Sequence, residues 1–135
     1  MTDLEELYEM AVAAQEQAYC PYSNYPVGAA LRTVSGKLFS GCNVENAAYP
    51  LGSCAEAGAI AAMVLAGERE IVELVTVTGG AVAGTPCGGC RQRIREFAGS
   101  DAVVHSTTTE SGLSAAITMT VGELLPDSFG PSNLL

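Results

Sequence analysis

The N-terminal residues carry apolar side chains at helical spacing. Leucine, tyrosine, valine and alanine recur every three or four positions from Leu4 to Ala14, and this pattern predicts an amphipathic helix over Asp3 to Tyr19. Thr2 precedes the pattern and Glu5 lies three residues further on, which is typical of a capping box at a helix start. Pro21 is expected to end the helix, since the residue before a proline disfavours the helical conformation.

Two runs rich in apolar residues follow the first helix. They span Val27 to Val34 and Lys37 to Val44, and the dipeptide Ser35-Gly36 separates them. Two extended runs joined by two residues of turn-forming type predict a β-hairpin. A polar loop, residues 45–52, connects this hairpin to the next apolar segment.

The rest of the chain alternates between helical and extended patterns. Ser53 is a suitable N-cap for a helix that runs to about Ala66, with Gly67 as its C-cap. Further elements are predicted as a buried strand at 71–78, a short helix from Cys87 to about Phe97 introduced by Pro86, strands at 102–106 and 117–120, and a helical turn at 121–125. The order α-β-β-α-β-α-β-β-α indicates an α/β fold in which helices flank a mixed sheet.

Length and composition limit the possible partners. A chain of 135 residues suits one compact domain over residues 1–135, and 48% of its residues are hydrophobic. A domain of this size has a large surface for its volume, so we expect part of the apolar excess to be buried between subunits of a homo-oligomer. The net charge of −9 opposes binding to phosphate backbones, and no run of basic residues occurs. We therefore expect a small neutral ligand and no nucleic acid.

The chain shows no targeting or membrane signal. Met1 is followed by acidic residues instead of the basic region of a signal peptide, and the longest apolar stretch, Ala57 to Gly67, is too short to span a bilayer. The five cysteines are an odd set, which favours metal ligands and buried thiols over disulfides. We expect a cytoplasmic protein without a membrane partner.

Three cysteines and one glutamate carry the strongest chemical signal. The chain contains Cys54-Ala55-Glu56 and, after a long gap, Cys87-Gly88-Gly89-Cys90. Three thiolates can hold one Zn²⁺ and leave a fourth position open to water, and an open position distinguishes catalytic from structural zinc sites. Glu56 is then placed to move protons of that water, which matches the known signature of zinc deaminases.

Other interpretations of these residues remain open at this point. The Cys-x-x-Cys pair is also typical of redox sites, buried thiols can be inert, and a glutamate in the first turn of a helix is favourable for electrostatic reasons alone. A redox pair, however, needs no third cysteine. The site with zinc would carry a net charge of −1, which helix dipoles and Arg91, adjacent to Cys90, could offset.

Beyond the zinc residues, the chain resembles the small tetrameric cytidine deaminases. The matching stretches cover nearly the whole chain in order and include 21–23, 26–31, 41–49, 54–56, 86–92, 124–126 and Phe129. The zinc motif is common to the whole superfamily, whereas the block Asn43-Val44-Glu45-Asn46 is specific to enzymes acting on nucleosides. The resemblance implies a three-layer α/β/α fold with a mixed central sheet of about five strands.

The resemblance also implies roles for individual residues. Asn43 and Glu45 would bind the ribose hydroxyls, Tyr25 would lie against the pyrimidine, and Glu56 would be catalytic on a zinc held by Cys54, Cys87 and Cys90. The amide near Ala55 and the carbonyl near Thr85 would contact the base. Three residues would serve a site shared with a neighbouring subunit: Ala47, Tyr49 and Phe129.

The function implied is the zinc-dependent hydrolytic deamination of cytidine and 2′-deoxycytidine, in pyrimidine salvage. The same core on another aminated nucleoside, an inactive zinc-stabilised assembly module, and a nucleic-acid editor are the alternatives. Many bacterial relatives carry an arginine directly after the catalytic glutamate, where this chain has Ala57. The segment from Ser106 to Thr118 matches no functional pattern.

Overall fold

The computed structural model describes residues 1–135 and contains four helices and five strands in the predicted order. The bounds are α1 Asp3–Gln15, β1 Gly28–Thr33, β2 Leu38–Cys42, α2 Ala55–Leu65, β3 Ile71–Thr78, α3 Gly88–Phe97, β4 Ala98–Thr108, β5 Ile117–Thr120 and α4 Val121–Leu124. Short 3₁₀ turns occur at Tyr49–Leu51, Leu113–Ala115 and Pro131–Asn133. No helix is both long enough and apolar enough to cross a bilayer.

The five strands form one mixed sheet in the order β2-β1-β3-β4-β5. Only the central pair β3 and β4 is parallel, and the hairpin β1–β2 and the strand β5 extend the sheet in antiparallel fashion on either side. The parallel pair is joined through α3, as a parallel connection requires a crossover. The predicted mixed sheet of about five strands is confirmed.

Helices cover both faces of this sheet. On one face α1 contributes Leu7 and Ala11 to a buried cluster with side chains of β1 and β3. On the other face α2, α3 and α4 pack on a larger cluster that includes Leu31, Leu74 and Ile94. The two clusters make a three-layer α/β/α arrangement, which confirms the predicted fold class.

Two glycines let helices approach the sheet closely. A Cβ atom on Gly28 would lie 2.0 Å from the carbonyl oxygen of Ala11 in α1, and one on Gly41 would lie 2.4 Å from the amide nitrogen of Ala59 in α2. Both distances are far below contact, so only glycine is compatible with the observed packing at these positions. The contact at Gly41 fixes the position of α2, whose first turn carries functional side chains.

Several boundaries differ from the sequence predictions. The capping box of Thr2 and Glu5 is present, but α1 ends at Gln15, and Tyr19 instead forms an isolated bridge with Val44. Cys54, not Ser53, is the N-cap of α2, because Ser53 pairs through its backbone with Val44. The strand predicted from residue 102 begins at residue 98.

Candidate active site

The N-termini of α2 and α3 bring three cysteines together. Cys54 is the N-cap of α2, Cys87 is the N-cap of α3, and Cys90 lies in the first turn of α3. Helix N-termini carry partial positive charge and favour thiolates, so both helices are oriented to stabilise negative sulfur.

The three sulfur atoms have the spacing of a zinc site. Their Sγ atoms all lie within 4.8 Å of one another, and the Sγ atoms of Cys54 and Cys87 are 4.0 Å apart. Tetrahedral Zn–S bonds of about 2.3 Å place sulfurs about 3.8 Å apart, so small adjustments suffice to bind the ion. All five cysteines are free thiols, which leaves the three ligands available.

The thiols differ in their local environments. Burial raises the pKa of Cys90, which is fully buried, and of Cys54, whereas a backbone hydrogen bond from Cys90 lowers the pKa of the Cys87 thiol. Because metal ligands must be deprotonated, zinc binding has to displace protons from at least the two thiols with raised pKa values. Zinc affinity is therefore expected to increase with pH.

Glu56 is a buried carboxylate beside the sulfur cluster. Glu56 is only 5% exposed, and this burial raises the pKa of its carboxyl group. A hydrogen bond from its own backbone amide and the positive charge of Arg93 lower the pKa, but by less. A raised pKa suits a group that must both accept and return a proton near neutral pH.

A cavity of about 350 Å³ opens directly onto these residues. This volume lies within the range of small-molecule sites. Its lining includes Cys54, Glu56 and Cys87 from the zinc cluster, and also five of the residues predicted to bind substrate: Tyr25, Asn43, Glu45, Tyr49 and Ala55.

Asn43 and Glu45 hold the wall of this cavity in place. The Asn43 side chain accepts a hydrogen bond from the Val27 amide at 2.8 Å and donates one to the carbonyl of Tyr25 at 2.9 Å. Glu45 accepts hydrogen bonds from the Tyr22 and Ser23 amides, at 3.0 and 3.2 Å, and from the Ser23 hydroxyl. These bonds lower the pKa of Glu45, the Ser23 hydroxyl most strongly, so the carboxylate stays ionised.

Two predicted substrate residues lie outside the cavity of their own chain. Ala47 is exposed and does not line it. Phe129 is 58% exposed, and its carbonyl accepts a hydrogen bond from Gln92 on α3. Their positions leave both free to contact another subunit.

Some cavity residues were not predicted from the sequence. Thr76 and Thr78 at the end of β3 line the cavity, and the Thr78 hydroxyl accepts a hydrogen bond from the Gly84 amide at 3.0 Å. A Cβ on Gly84 would lie 2.8 Å from the Tyr25 hydroxyl, so this glycine makes room for that tyrosine. Two threonine hydroxyls near the end of a mostly apolar strand were the signal available in the sequence.

The arginines of α3 make different contacts. Arg91, predicted to offset charge at the zinc, donates to the carbonyl oxygens of Pro86 and Leu124 and to the Thr85 hydroxyl, at 2.7 to 2.9 Å. The arginine that contacts a ligand sulfur is Arg93, whose Nη1 lies 3.7 Å from the Sγ of Cys90. Arg91 thus fixes the loop before Cys87, and Arg93 brings positive charge to the sulfur cluster.

Comparisons with known proteins agree with this geometry. The family model described as the cytidine and deoxycytidylate deaminase zinc-binding region matches residues 1–107. A cytidine deaminase of Sporosarcina psychrophila is 39% identical over 132 residues, which cover 98% of this chain and 95% of that protein.

Solved structures are similar over almost the full chain. The crystal structure of cytidine deaminase from Burkholderia pseudomallei superposes with a TM-score of 0.87 at 42% identity, covering 96% of this chain and 100% of that one. The structure of cytidine deaminase from Mycobacterium tuberculosis gives a TM-score of 0.79 at 35% identity, covering 96% and 99%.

Proposed function

Because this chain belongs to the family of cytidine and deoxycytidylate deaminases, we propose that it hydrolyses cytidine and 2′-deoxycytidine to uridine and 2′-deoxyuridine with release of ammonia. The observation that carries this proposal is the juxtaposition of three sulfurs and a buried glutamate beside a cavity of about 350 Å³, a volume that suits a small molecule. A single domain spanning residues 1–135 would perform the reaction.

The residues present fit a catalytic zinc ion. Cys54, Cys87 and Cys90 would hold it, with the spacing described above. Bound zinc supplies Lewis acidity, which makes water a competent nucleophile at neutral pH. Three protein ligands leave the fourth position for this chemistry, as in other catalytic zinc sites.

Glu56 would move the protons of the reaction. It would accept one proton from the attacking water and transfer it to N3 of the base, and would then accept the second proton, from the hydroxyl group at C4, and donate it to the departing amino group. The oxygen of water thereby becomes O4 of uridine, and its two protons end on N3 and on ammonia. Its burial supports this role, because burial raises the pKa of the carboxyl group. A larger fraction of the group is then protonated near neutral pH and available to donate a proton.

The cavity wall would orient the nucleoside. Asn43 and Glu45 would bind the ribose hydroxyls, Tyr25 would pack on the pyrimidine, and the backbone near Ala55 and Thr85 would contact the base. All five residues line the cavity. A carboxylate beside an amide can both accept from and donate to a sugar diol.

A homo-oligomer, by resemblance a tetramer, would complete each site. Ala47 and Phe129 are exposed and do not line the cavity of their own chain, and Tyr49, which does line it, is 75% exposed. Exposed apolar side chains are expected at contacts between subunits. We place the enzyme in the cytoplasm, in pyrimidine salvage, with no nucleic-acid partner.

Replacement of Glu56 by glutamine tests the proposal most directly. The change keeps the size of the side chain but removes proton transfer, so we expect kcat to fall by about 10²- to 10⁴-fold. Zinc content and thermal stability should stay close to those of the parent. The loss of the cytidine absorbance band measures the rate, and metal analysis measures the zinc.

The surface variant Glu70→Gln is a matched control, because Glu70 is exposed and lies away from the cavity. It should deaminate at the parental rate. Parental activity in Glu56→Gln would show that Glu56 does not transfer protons, and an inactive but zinc-loaded parent would contradict the proposed reaction.

A further inference from the structure

The zinc site would carry an unbalanced negative charge. Three thiolates and one Zn²⁺ sum to −1, and the carboxylate of Glu56 lies in the same buried region. Burying net charge is costly unless an opposite charge or a hydrogen-bond donor compensates it. The chain has only six lysines and arginines and one histidine, so few groups are candidates.

Arg93 is the basic residue whose side chain contacts a ligand sulfur. Its Nη1 is 3.7 Å from the Sγ of Cys90, which is fully buried and thus has no access to water. The two residues are three apart on α3, a spacing that places side chains on the same side of a helix. A donor from a cation to a thiolate is a charge-assisted hydrogen bond, which is stronger than a neutral one.

The surroundings of Arg93 leave space for this contact. Gly89, inside the Cys-x-x-Cys motif, has no side chain, and a Cβ there would lie 3.4 Å from Nη1. Ala57 of α2 is small and lines the same groove as Arg93. A bulky residue at either position would compete with the guanidinium for this space.

We propose that Arg93 is a positioning residue that stabilises the zinc-loaded thiolate cluster through its bond to Cys90, a role that rests on the zinc-dependent function proposed above. Its charge reduces electron donation from Cys90 to the metal and so preserves Lewis acidity. It also compensates the net charge that zinc binding leaves on the cluster.

The test measures zinc affinity apart from turnover. Competition with a chromophoric chelator at fixed pH gives the zinc dissociation constant of the parent, Arg93→Gln, Arg93→Lys and the control Arg69→Gln. Removal of a residue that orients a metal ligand usually weakens metal binding by about 10- to 100-fold. Because Arg93 is exposed, we expect the lower end, about tenfold, for Arg93→Gln.

Two further readouts separate charge from structure. Arg93→Lys retains the positive charge and should recover part of the affinity. In Co²⁺-substituted protein, loss of the bond to Cys90 should shift the sulfur-to-cobalt charge-transfer band of Arg93→Gln to longer wavelength. Arg69 is exposed and donates to the carbonyls of Val64, near the end of α2, and of Glu68, beyond that end, so Arg69→Gln, with the same charge change, should match the parent in every readout.

Parental zinc affinity and an unshifted cobalt band in Arg93→Gln would overturn the proposal, as would an Arg93→Lys variant no better than Arg93→Gln. Both results are independent of deamination. If the parent binds zinc but converts no cytidine, the proposed function fails while the role of Arg93 is still decided.

Discussion

The carboxylate of Glu45 both holds a loop in place and faces the cavity. It binds the backbone of Tyr22 and Ser23, and it faces the cavity next to Asn43. The Ser23 hydroxyl and these amides hold its pKa low. A group with a lowered pKa stabilises the fold above its unfolded-state pKa, and this contribution disappears as the pH falls through the lower folded-state value. At neutral pH the carboxylate is therefore ionised, as the proposed hydrogen bond from a ribose hydroxyl requires.

Replacement of Glu45 by glutamine should weaken nucleoside binding. The amide keeps the shape but loses the charge and one acceptor, and we expect KM for cytidine to increase about tenfold with a smaller change in kcat. The ratio of kcat/KM for cytidine to that for 2′,3′-dideoxycytidine should fall as well, because the dideoxy compound lacks the hydroxyls that Glu45 would bind. Initial rates on both nucleosides provide the measurement.

Ser23→Ala is the matched control for loop positioning. It removes one hydrogen bond to Glu45 but leaves the carboxylate, so the preference for cytidine over its dideoxy analogue should be retained. An unchanged preference in Glu45→Gln would mean that Glu45 acts only on the loop at 22–23 and does not bind ribose.

At the scale of single residues, the sequence was informative where chemistry restricts the choice of side chain. Three cysteines and a glutamate in fixed spacing predicted a cluster that the structure assembles. Adjacency to Cys90 in the chain favours Arg91 as the compensating charge, yet neighbouring residues on a helix point about 100° apart. The third residue along, Arg93, shares the side of Cys90, so helical spacing would have been the better guide.

The packing of α2 on the hairpin depends on a glycine. At Gly41 in β2 the backbone of α2 approaches so closely that a Cβ would lie 2.4 Å from the Ala59 nitrogen and 2.5 Å from the Ala55 carbonyl oxygen. Ala55 follows the zinc ligand Cys54 directly. A strand residue that does not itself line the cavity therefore sets the distance between the zinc site and the sheet.

Gly41→Ala should destabilise the fold and disturb the zinc site together. The clash is with backbone atoms, which cannot move aside as a flexible side chain can. We expect a loss of more than about 2 kcal/mol in the free energy of unfolding and weaker zinc retention. Urea denaturation at a fixed protein concentration and chelator competition measure the two effects.

Gly99→Ala is the control for this substitution, because a Cβ at Gly99 meets nothing within 4 Å. Its stability should change by less than about 0.5 kcal/mol. If Gly41→Ala unfolds at the parental urea concentration, the close approach of α2 to β2 does not hold in solution.

The order of elements was predictable, but their ends were less so. Helical spacing of apolar residues identified α1, and turn residues, runs of apolar and β-branched residues, and capping residues identified the other elements. Backbone pairing decided the ends: Ser53 bonds to Val44 instead of capping α2, and Ala98 already pairs with Ile71 before the apolar part of β4 begins. Such long-range pairings leave no signal in the neighbouring sequence. The 3₁₀ turn at Leu113–Ala115, within the segment 106–118, was not predicted either.

On the scale of the whole molecule, the distribution of aromatic residues suggests that one chain is incomplete. Tyr49 and Phe129 are 75% and 58% exposed, although burial of aromatic rings is strongly favourable. The segment that carries Phe129 is nevertheless held in place, because Arg95 donates to the Ser128 hydroxyl at 2.9 Å and Gln92 donates to the Phe129 carbonyl at 2.8 Å. An exposed ring on a backbone segment that is held in place, outside its own cavity, suits a site on a neighbouring subunit.

A complementation experiment tests this sharing. Phe129→Ala should deaminate cytidine about tenfold less efficiently, in line with the loss of one stacking contact on a base, and Glu56→Gln should be nearly inactive. When the two variants are mixed and allowed to exchange subunits, some sites combine the intact Glu56 of one chain with the intact Phe129 of its neighbour. The mixture should therefore exceed the summed activities of the two separate samples.

A mixture of Phe129→Ala with the double variant Glu56→Gln/Phe129→Ala is the control, because no intact Phe129 is then available to any site. It should show no gain in activity. Size-exclusion chromatography with light scattering must show oligomers in every sample, with subunit exchange verified by mass spectrometry. If exchanged oligomers of the first mixture give only the summed activity, Phe129 serves its own chain or none, and the proposal of sites shared between subunits through this residue is wrong.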